Sequence, residues 1–229
     1  MPASTLAGLA LLVIGESHLS QANYLINPLH ESLSAAGAKV HAIGACGASA
    51  GDWLKTTTVP CGGERSSGAA VIKGRDATTT PIKQLIAADK PDLVVIIIGD
   101  TMASYDKEAF PRAWAWQGVT SLAKEVGATK TPCVWVGPPW GQPGGKYQKN
   151  DPRVELMSGF LASNVAPCSY VDSLKFSKPG QWETLDGQHF TLAGYKAWSQ
   201  AITKALGESP ALQALNPNFP LAPMPNGSH

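Results

Sequence analysis

Nothing in the chain of 229 residues marks it for nucleic acid, for a bilayer or for a metal. The formal net charge is +1, with no basic cluster and no acidic tail, so the electrostatic footprint of a nucleic-acid binder is missing. No apolar run approaches the roughly 18 residues that a membrane span needs. The longest, Leu6 to Ile14, has no basic region before it, so it is not an intact signal peptide either. No two of Cys46, Cys61, Cys133 and Cys168 have the close spacing of a zinc or redox site. An H-E-x-x-H motif is absent, and Gly15-Glu16-Ser17 is not a phosphate loop with its lysine. No metal and no cofactor is expected. No internal repeat and no linker divides the chain.

What is present fits one α/β domain. The composition is 44% hydrophobic, enough for a substantial core at this length. Residues 1–208 are expected to form the domain, and 209–229 a Pro-rich tail that packs as an irregular strap or frays. Met1-Pro2 reads as an added start and Gly227-Ser228-His229 as a tag remnant, and both are set aside.

An apolar run, Leu11 to Ile14, ends at Gly15 and gives way at once to Glu16, Ser17 and His18. A helix-compatible segment, Ser20 to Ala36, follows, which is how a buried strand hands over to a helix in an α/β sheet. Ser17 then stands at the carboxyl end of the first strand, where open α/β sheets place ligands. The bland alternative is that it caps the helix. Lys39–Ile43 reads as strand two. The stretch 55–80 is rich in Gly, Ser and Thr and reads as a functional insertion or a mobile loop. Its Arg65, Lys73 and Arg75 read as solvated loop charge.

Pro81–Asp89 reads as a short helix. Asp92–Ile98 is the clearest strand, β-branched and apolar on both faces, hence central in a parallel sheet. Pro111–Val126 reads as a helix with Trp114, Val119, Leu122, Ala123 and Val126 inward. Strand four at Cys133–Gly137, a helix at Pro152–Val165, strand five at Cys168–Val171 and a last helix from Thr191 to Leu206, with Thr191 as its cap, complete the chain. Repeated right-handed βα units of this kind give a three-layer α/β/α sandwich around a parallel sheet of about five strands.

The four cysteines permit two disulfides, Cys46–Cys61 after the second strand and Cys133–Cys168 between two late strands. Such pairing implies an extracytoplasmic compartment, periplasmic or secreted. Four free thiols in a cytosolic enzyme is the alternative.

The fold geometry brings the turns around Ser17, Gly51, Thr101 and Asp186–His189 to one edge of the sheet. A nucleophile, donors and a base meet there, the requirements of acyl transfer. Gly15-Glu16-Ser17-His18 resembles the first block of the SGNH/GDSL hydrolases, normally Gly-Asp-Ser. Asp186-Gly-Gln-His189, with Gly194-Tyr195 behind it, resembles their Asp-x-x-His block. Ala48-Ser-Ala-Gly51-Asp52 is similar to the second block, and Gly99-Asp100-Thr101 to the third, normally Gly-x-Asn. The resemblance spans residues 9 to 206 and implies the flavodoxin-like SGNH fold.

It also implies roles. Ser17 is the nucleophile, His189 the base and Asp186 its orienting partner. The N–H groups of Ser17 and Gly51 form the oxyanion hole, with or without the hydroxyl of Thr101, which stands in place of Asn. Threonine offers one donor where the amide offers two, and loss of an oxyanion donor typically costs about two to three orders of magnitude in rate. Glu16 in place of Asp supports local structure.

Trp53, Trp140 and Trp182 fall in loops near these motifs and could stack on sugar rings, packing being the alternative. Asp100, beside Thr101, is a further candidate substrate contact. His18, His30 and His41 have no partner pattern and read as surface or locally hydrogen-bonded.

The expected activity is that of a serine esterase on a small-molecule or glycan ester, foremost an O-acetylesterase acting on a polysaccharide. An O-acetyltransferase of the same fold acting on an exported polysaccharide is the alternative. A glycan-binding or assembly protein without catalysis is the third reading. The oligomeric state is left open.

Overall fold

The computed structural model describes residues 6–215. Met1-Pro2 and Gly227-Ser228-His229, read above as an added start and a tag remnant, and most of the Pro-rich tail lie outside the described residues.

In chain order the elements are β1 (Ala10–Gly15), α1 (Ile26–Ala35), β2 (Lys39–Ala45), β3 (Gly62–Arg65), β4 (Val71–Lys73), α2 (Ile82–Asp89) and β5 (Leu93–Ile97). Then come α3 (Asp100–Ala103), α4 (Arg112–Ala128), β6 (Cys133–Val136), α5 (Asp151–Asn164), β7 (Ser169–Val171), α6 (Leu192–Gly207) and α7 (Pro210–Leu215). The sheet has seven strands in the order β4-β3-β2-β1-β5-β6-β7. β2, β1, β5, β6 and β7 run parallel, and β3 and β4 extend the β2 edge antiparallel.

The five parallel strands are the expected ones, and the alternation of their side chains builds two cores. Leu12, Ile14, Val94 and Ile96 pack with residues of α2, α4 and α5 on one face. Leu11, Val13, Val95 and Ile97 pack with α1 and α6 on the other. Both faces of β1 and β5 are therefore covered, as parallel strands require.

Three differences from the sequence reading have physical causes. The stretch 55–80 contributes β3 and β4 to the sheet, and Gly62 and Gly63 serve close packing: a side chain at Gly63 would meet the Leu19 carbonyl oxygen at 2.6 Å. Glycine-rich strands carry no alternation to read. Trp114 is 49% exposed and lies outside the buried stripe of α4, which is Ala115, Val119, Leu122, Ala123 and Val126. The helix packs closely on the turn at 50–54: a side chain at Gly118 would stand 3.3 Å from the Gly51 nitrogen. Lastly, Pro210–Leu215 is a helix. Ser209 accepts the Leu212 N–H on its hydroxyl at 3.3 Å, proline opens the first turn, and Leu212 is buried against the second core.

Both disulfides form as paired in the sequence reading, Cys46–Cys61 and Cys133–Cys168, with Cα atoms 5.2 and 4.6 Å apart. Among the described residues no helix is long and apolar enough to cross a membrane.

Candidate active site

β1 ends at Gly15, where a side chain would meet the Ile97 carbonyl oxygen and Leu19, each at 2.7 Å. Only glycine lets the chain turn that tightly beside β5. The turn delivers Ser17 as the first residue of a short 3-10 segment, Ser17–Leu19. Its hydroxyl caps no helix; Ser17 Oγ lies 2.7 Å from His189 Nε2. His189 Nδ1 in turn lies 2.7 Å from Asp186 Oδ2.

A carboxylate only accepts, so Nδ1 carries the ring proton and Nε2 is left to accept from Ser17. Asp186 Oδ1 also takes the N–H groups of Gln188 and His189, at 3.0 and 2.8 Å. Burial raises the Asp186 carboxyl, but the His189 N–H, the imidazole and the Gln188 N–H outweigh it and hold it below its usual value. The Asp186 turn is seated by the loop after β6: Gln142 N–H donates to the Gly187 carbonyl at 2.8 Å and Lys146 N–H to the Asp186 carbonyl at 3.0 Å.

His189 is 4% exposed. Tyr24 stacks on its ring at 5.1 Å and Tyr147 meets it edge-on at 5.3 Å. These tyrosines, with Gln21, Gln188 and Ser104, line a cleft of about 540 Å³ that contains Ser17 and His189. A second cleft of about 560 Å³, beside β7, is lined by Tyr170, Asp172 and Pro210 among others and includes neither Ser17 nor His189.

Of the three residues read as oxyanion donors, Ser17 and Thr101 border the cleft. Gly51 does not line the cleft; it sits in the turn packed on α4. β2 runs to Ala45, two residues further than read, so the turn at the sheet edge falls at Cys46-Gly47. Gly47 lines the cleft with Cys46, Pro60 and Cys61. It has φ +71, which favours glycine. Its N–H donates to no other described residue. The Ser17 N–H, first in its turn, has no partner within that turn. Thr101 is committed elsewhere: its hydroxyl donates to the Ala48 carbonyl at 2.9 Å and its N–H to Glu16 at 2.7 Å.

The tryptophans read as substrate contacts lie away from the cleft. Trp53 is fully buried in the first core. Trp140 spends its N–H on the Leu174 carbonyl at 2.9 Å, and Trp182 packs edge-on against Phe190 at 5.5 Å. None of the three lines the cleft; Tyr24 and Tyr147 do. Asp100 stands in the cleft wall, but its side chain is enclosed.

That enclosure is a buried polar network beneath the nucleophile, which has no local sequence pattern. Asp100 accepts from His18 Nε2 at 2.9 Å, from Lys149 Nζ at 2.8 Å and from the Tyr105 hydroxyl at 2.5 Å. His18 Nδ1 lies 2.9 Å from the Tyr195 hydroxyl. Glu16 accepts the N–H groups of Gly99, Asp100 and Thr101 at 3.0, 2.9 and 2.7 Å, which anchors the first turn of α3. His18 is thus buried, contrary to the surface reading. His30 is locally bonded, to Ser34 at 3.4 Å, whereas His41 bridges separate segments, with Asp89 at 2.6 Å and Glu64 at 3.1 Å. Arg65 is held by Asn27 and Glu31, and Lys73 by Glu64. Glu16, His18 and Asp100 bring possible metal ligands within 4.8 Å of one another, but the Lys149 ammonium already supplies the cation beside Asp100.

Burial and the Asp100 charge push the Glu16 carboxyl up to about 7 from its usual 4.5. Burial pulls His18 down from 6.5 to about 4, against its bond to Asp100. Burial also raises Asp100, but Lys149 and His18 overcome it and hold that carboxyl far below its usual value.

The first two shifts have opposite consequences. Glu16 contributes stability below pH 4.5 that is lost as pH rises through 7. His18 contributes stability above pH 6.5 that is lost as pH falls through 4. The slopes cancel where they overlap. His18→Gln leaves Glu16 unopposed, so denaturant midpoints of that variant are expected to fall from pH 4.5 to 7, by on the order of 3 kcal/mol in unfolding free energy. The wild type should change little over the lower part of that range; matching slopes would remove His18 from the balance.

No family model matches the chain. Protein BcsX of Komagataeibacter xylinus is 41% identical over 204 residues, which cover 87% of this chain and 77% of that protein. Among solved structures, TesA matches with a TM-score of 0.56 at 19% identity, covering 86% of this chain and 97% of TesA. A catalytic mutant of Axe2, an acetylxylan esterase from Geobacillus stearothermophilus, matches with a TM-score of 0.56 at 17% identity, over 88% of this chain and 95% of its own. A GDSL-like lipase from Bacteroides thetaiotaomicron matches with a TM-score of 0.55 at 13% identity, over 86% and 87%.

Proposed function

The chain belongs to the family of Protein BcsX and has the fold of the SGNH/GDSL hydrolases, and from that premise we propose that it is a serine esterase that removes short acyl groups, foremost acetyl, from a glycan. The observation that carries the proposal is the unbroken line Ser17 Oγ–His189 Nε2 and His189 Nδ1–Asp186 Oδ2, each contact 2.7 Å, in a cleft wide enough for a small ligand.

In this reading His189 Nε2 takes the hydroxyl proton as Ser17 Oγ attacks the ester carbonyl carbon. Asp186 holds the ring and stabilises its charged form. The N–H groups of Ser17 and Gly47 receive the developing oxyanion. His189 then returns its proton to the leaving sugar oxygen, and water, deprotonated by His189, releases the acid from Ser17.

The lining supports the substrate class. Among the described residues no Leu, Ile, Val or Met side chain borders the cleft, so a long acyl chain would find no apolar channel. Tyr24 and Tyr147 offer ring surface and the two glutamines offer hydrogen bonds, which suits a polyhydroxylated alcohol. The shared fold with an acetylxylan esterase points the same way. Two disulfides favour work in an oxidising, extracytoplasmic space.

The test is acetate release from an O-acetylated oligosaccharide, with and without an unacetylated acceptor glycan. Release at one rate in both mixtures is the expected result. Acetyl that appears only on the acceptor would make the protein a transferase. No turnover of either kind, with the glycan still bound, would make it a binding protein.

A further inference from the structure

We infer that Thr101 is a positioning residue for the oxyanion loop, its hydroxyl working through Ala48 and not on the substrate. The inference rests on the acyl-transfer reading above.

Three residues, Cys46, Gly47 and Ala48, carry the chain from the end of β2 past the cleft, and both ends of this span are tied. At one end Cys46 is bonded to Cys61 through sulfur, and its N–H donates to the Cys61 carbonyl at 2.9 Å. At the other, the Ala48 N–H donates to the Ala45 carbonyl at 3.2 Å and the Ala48 carbonyl accepts the Thr101 hydroxyl at 2.9 Å. Gly47 lies between them with φ +71 and an N–H that donates to no other described residue. Such a donor is useful only if it is aimed before charge develops, and a misplacement of about 1 Å can cost a hundredfold.

Thr101 is itself fixed, because its N–H donates to Glu16 Oε2 at 2.7 Å and Glu16 is the residue before Ser17. A line of bonded groups therefore runs from the nucleophile's neighbour through Thr101 to the neighbour of Gly47. It sets the spacing between the two backbone donors. The Thr101 hydroxyl has one hydrogen. Given to Ala48, it is not available to an oxyanion. An asparagine, with two amide hydrogens, could serve both; threonine serves the loop.

The test compares Thr101→Val, Thr101→Ala and Thr101→Ser with the wild type in two readouts. The first is hydrolysis of 4-nitrophenyl acetate. The second is exchange and line width of the Gly47 amide by NMR in the free protein. Valine and alanine, which lack the hydroxyl, are expected to lower kcat tenfold or more with KM within about threefold, and to speed exchange at Gly47. Serine, which keeps it, is expected to restore both. A fall in kcat with Gly47 unchanged in the free protein would make Thr101 a direct oxyanion donor and overturn the inference. So would an unchanged kcat in the valine and alanine variants, or a serine variant as impaired as they are. A wild type without esterase activity would sink the proposed function instead, and the Gly47 readout would still decide whether Thr101 holds the loop.

Discussion

Ser17→Ala is expected to lower kcat for 4-nitrophenyl acetate by roughly four to six orders of magnitude. The magnitude follows from what remains. The alanine variant keeps the cleft, both backbone N–H donors and the His189–Asp186 pair, but has no atom to carry the acyl group. Residual catalysis by such sites comes from oxyanion donors and binding alone. KM should change only severalfold, because the hydroxyl that alanine removes is bonded to His189, at 2.7 Å, and does not hold the ester in the ground state. His189→Ala should fall by a comparable factor, and the double variant no further, since the two act as one unit. Stopped assays on purified variants decide this, with circular dichroism to show that the fold is kept. A serine variant with more than a hundredth of the wild-type kcat would mean that another group does the chemistry.

The second large effect is on stability. Lys149→Met is expected to destabilise the protein by about 3–5 kcal/mol, the usual cost of stranding one member of a buried ion pair. Lys149 is 2% exposed and Asp100 4%, and the two meet at 2.8 Å. Methionine fills the space of the lysine stem but leaves the carboxylate with only neutral donors, His18 and Tyr105. At roughly 2–4 °C per kcal/mol for a domain of this size, the melting temperature should fall by about 10 °C. Pairing the change with Asp100→Asn removes the stranded charge and should recover part of that stability. Differential scanning calorimetry of the three proteins measures it. A lysine variant within 1 °C of the wild type would mean that water or a counter-ion reaches Asp100.

These two cases differ in how legible they are in the sequence. Ser17, Asp186 and His189 are picked out because short motifs carry them, one in the turn that ends β1 and one in the turn before α6. The parallel strands are equally plain, since Leu93–Ile97 is buried on both faces and so lacks polar residues altogether. Lys149 and His18 have no such signal: residues 16, 18, 100, 105 and 149 meet only through the packing of separate segments. Gly51 is read from motif likeness. Two glycines follow strand two within six residues of Ala45, and motif likeness favours the later one. What favours Gly47 in the proposed function is the length of β2, because two more paired residues move the sheet edge to Cys46. The hairpin of β3 and β4 is hidden by Gly62 and Gly63, kept for close approach to β2 and the Leu19 turn. The sequence directs attention to tryptophans for aromatic binding, whereas Tyr147 sits in a Gly-rich loop that the Asp186 turn holds beside His189.

In the proposed function Ser17 is the nucleophile, activated by His189. Incubation with a fluorophosphonate ester, followed by intact mass and peptide mapping, tests it most directly, because phosphorus attacked by the serine oxygen loses fluoride and stays attached. One adduct per chain is expected, on Ser17, absent in Ser17→Ala and slowed in His189→Ala. A wild type that hydrolyses acetate esters yet takes no adduct, or takes it on another residue, would contradict it.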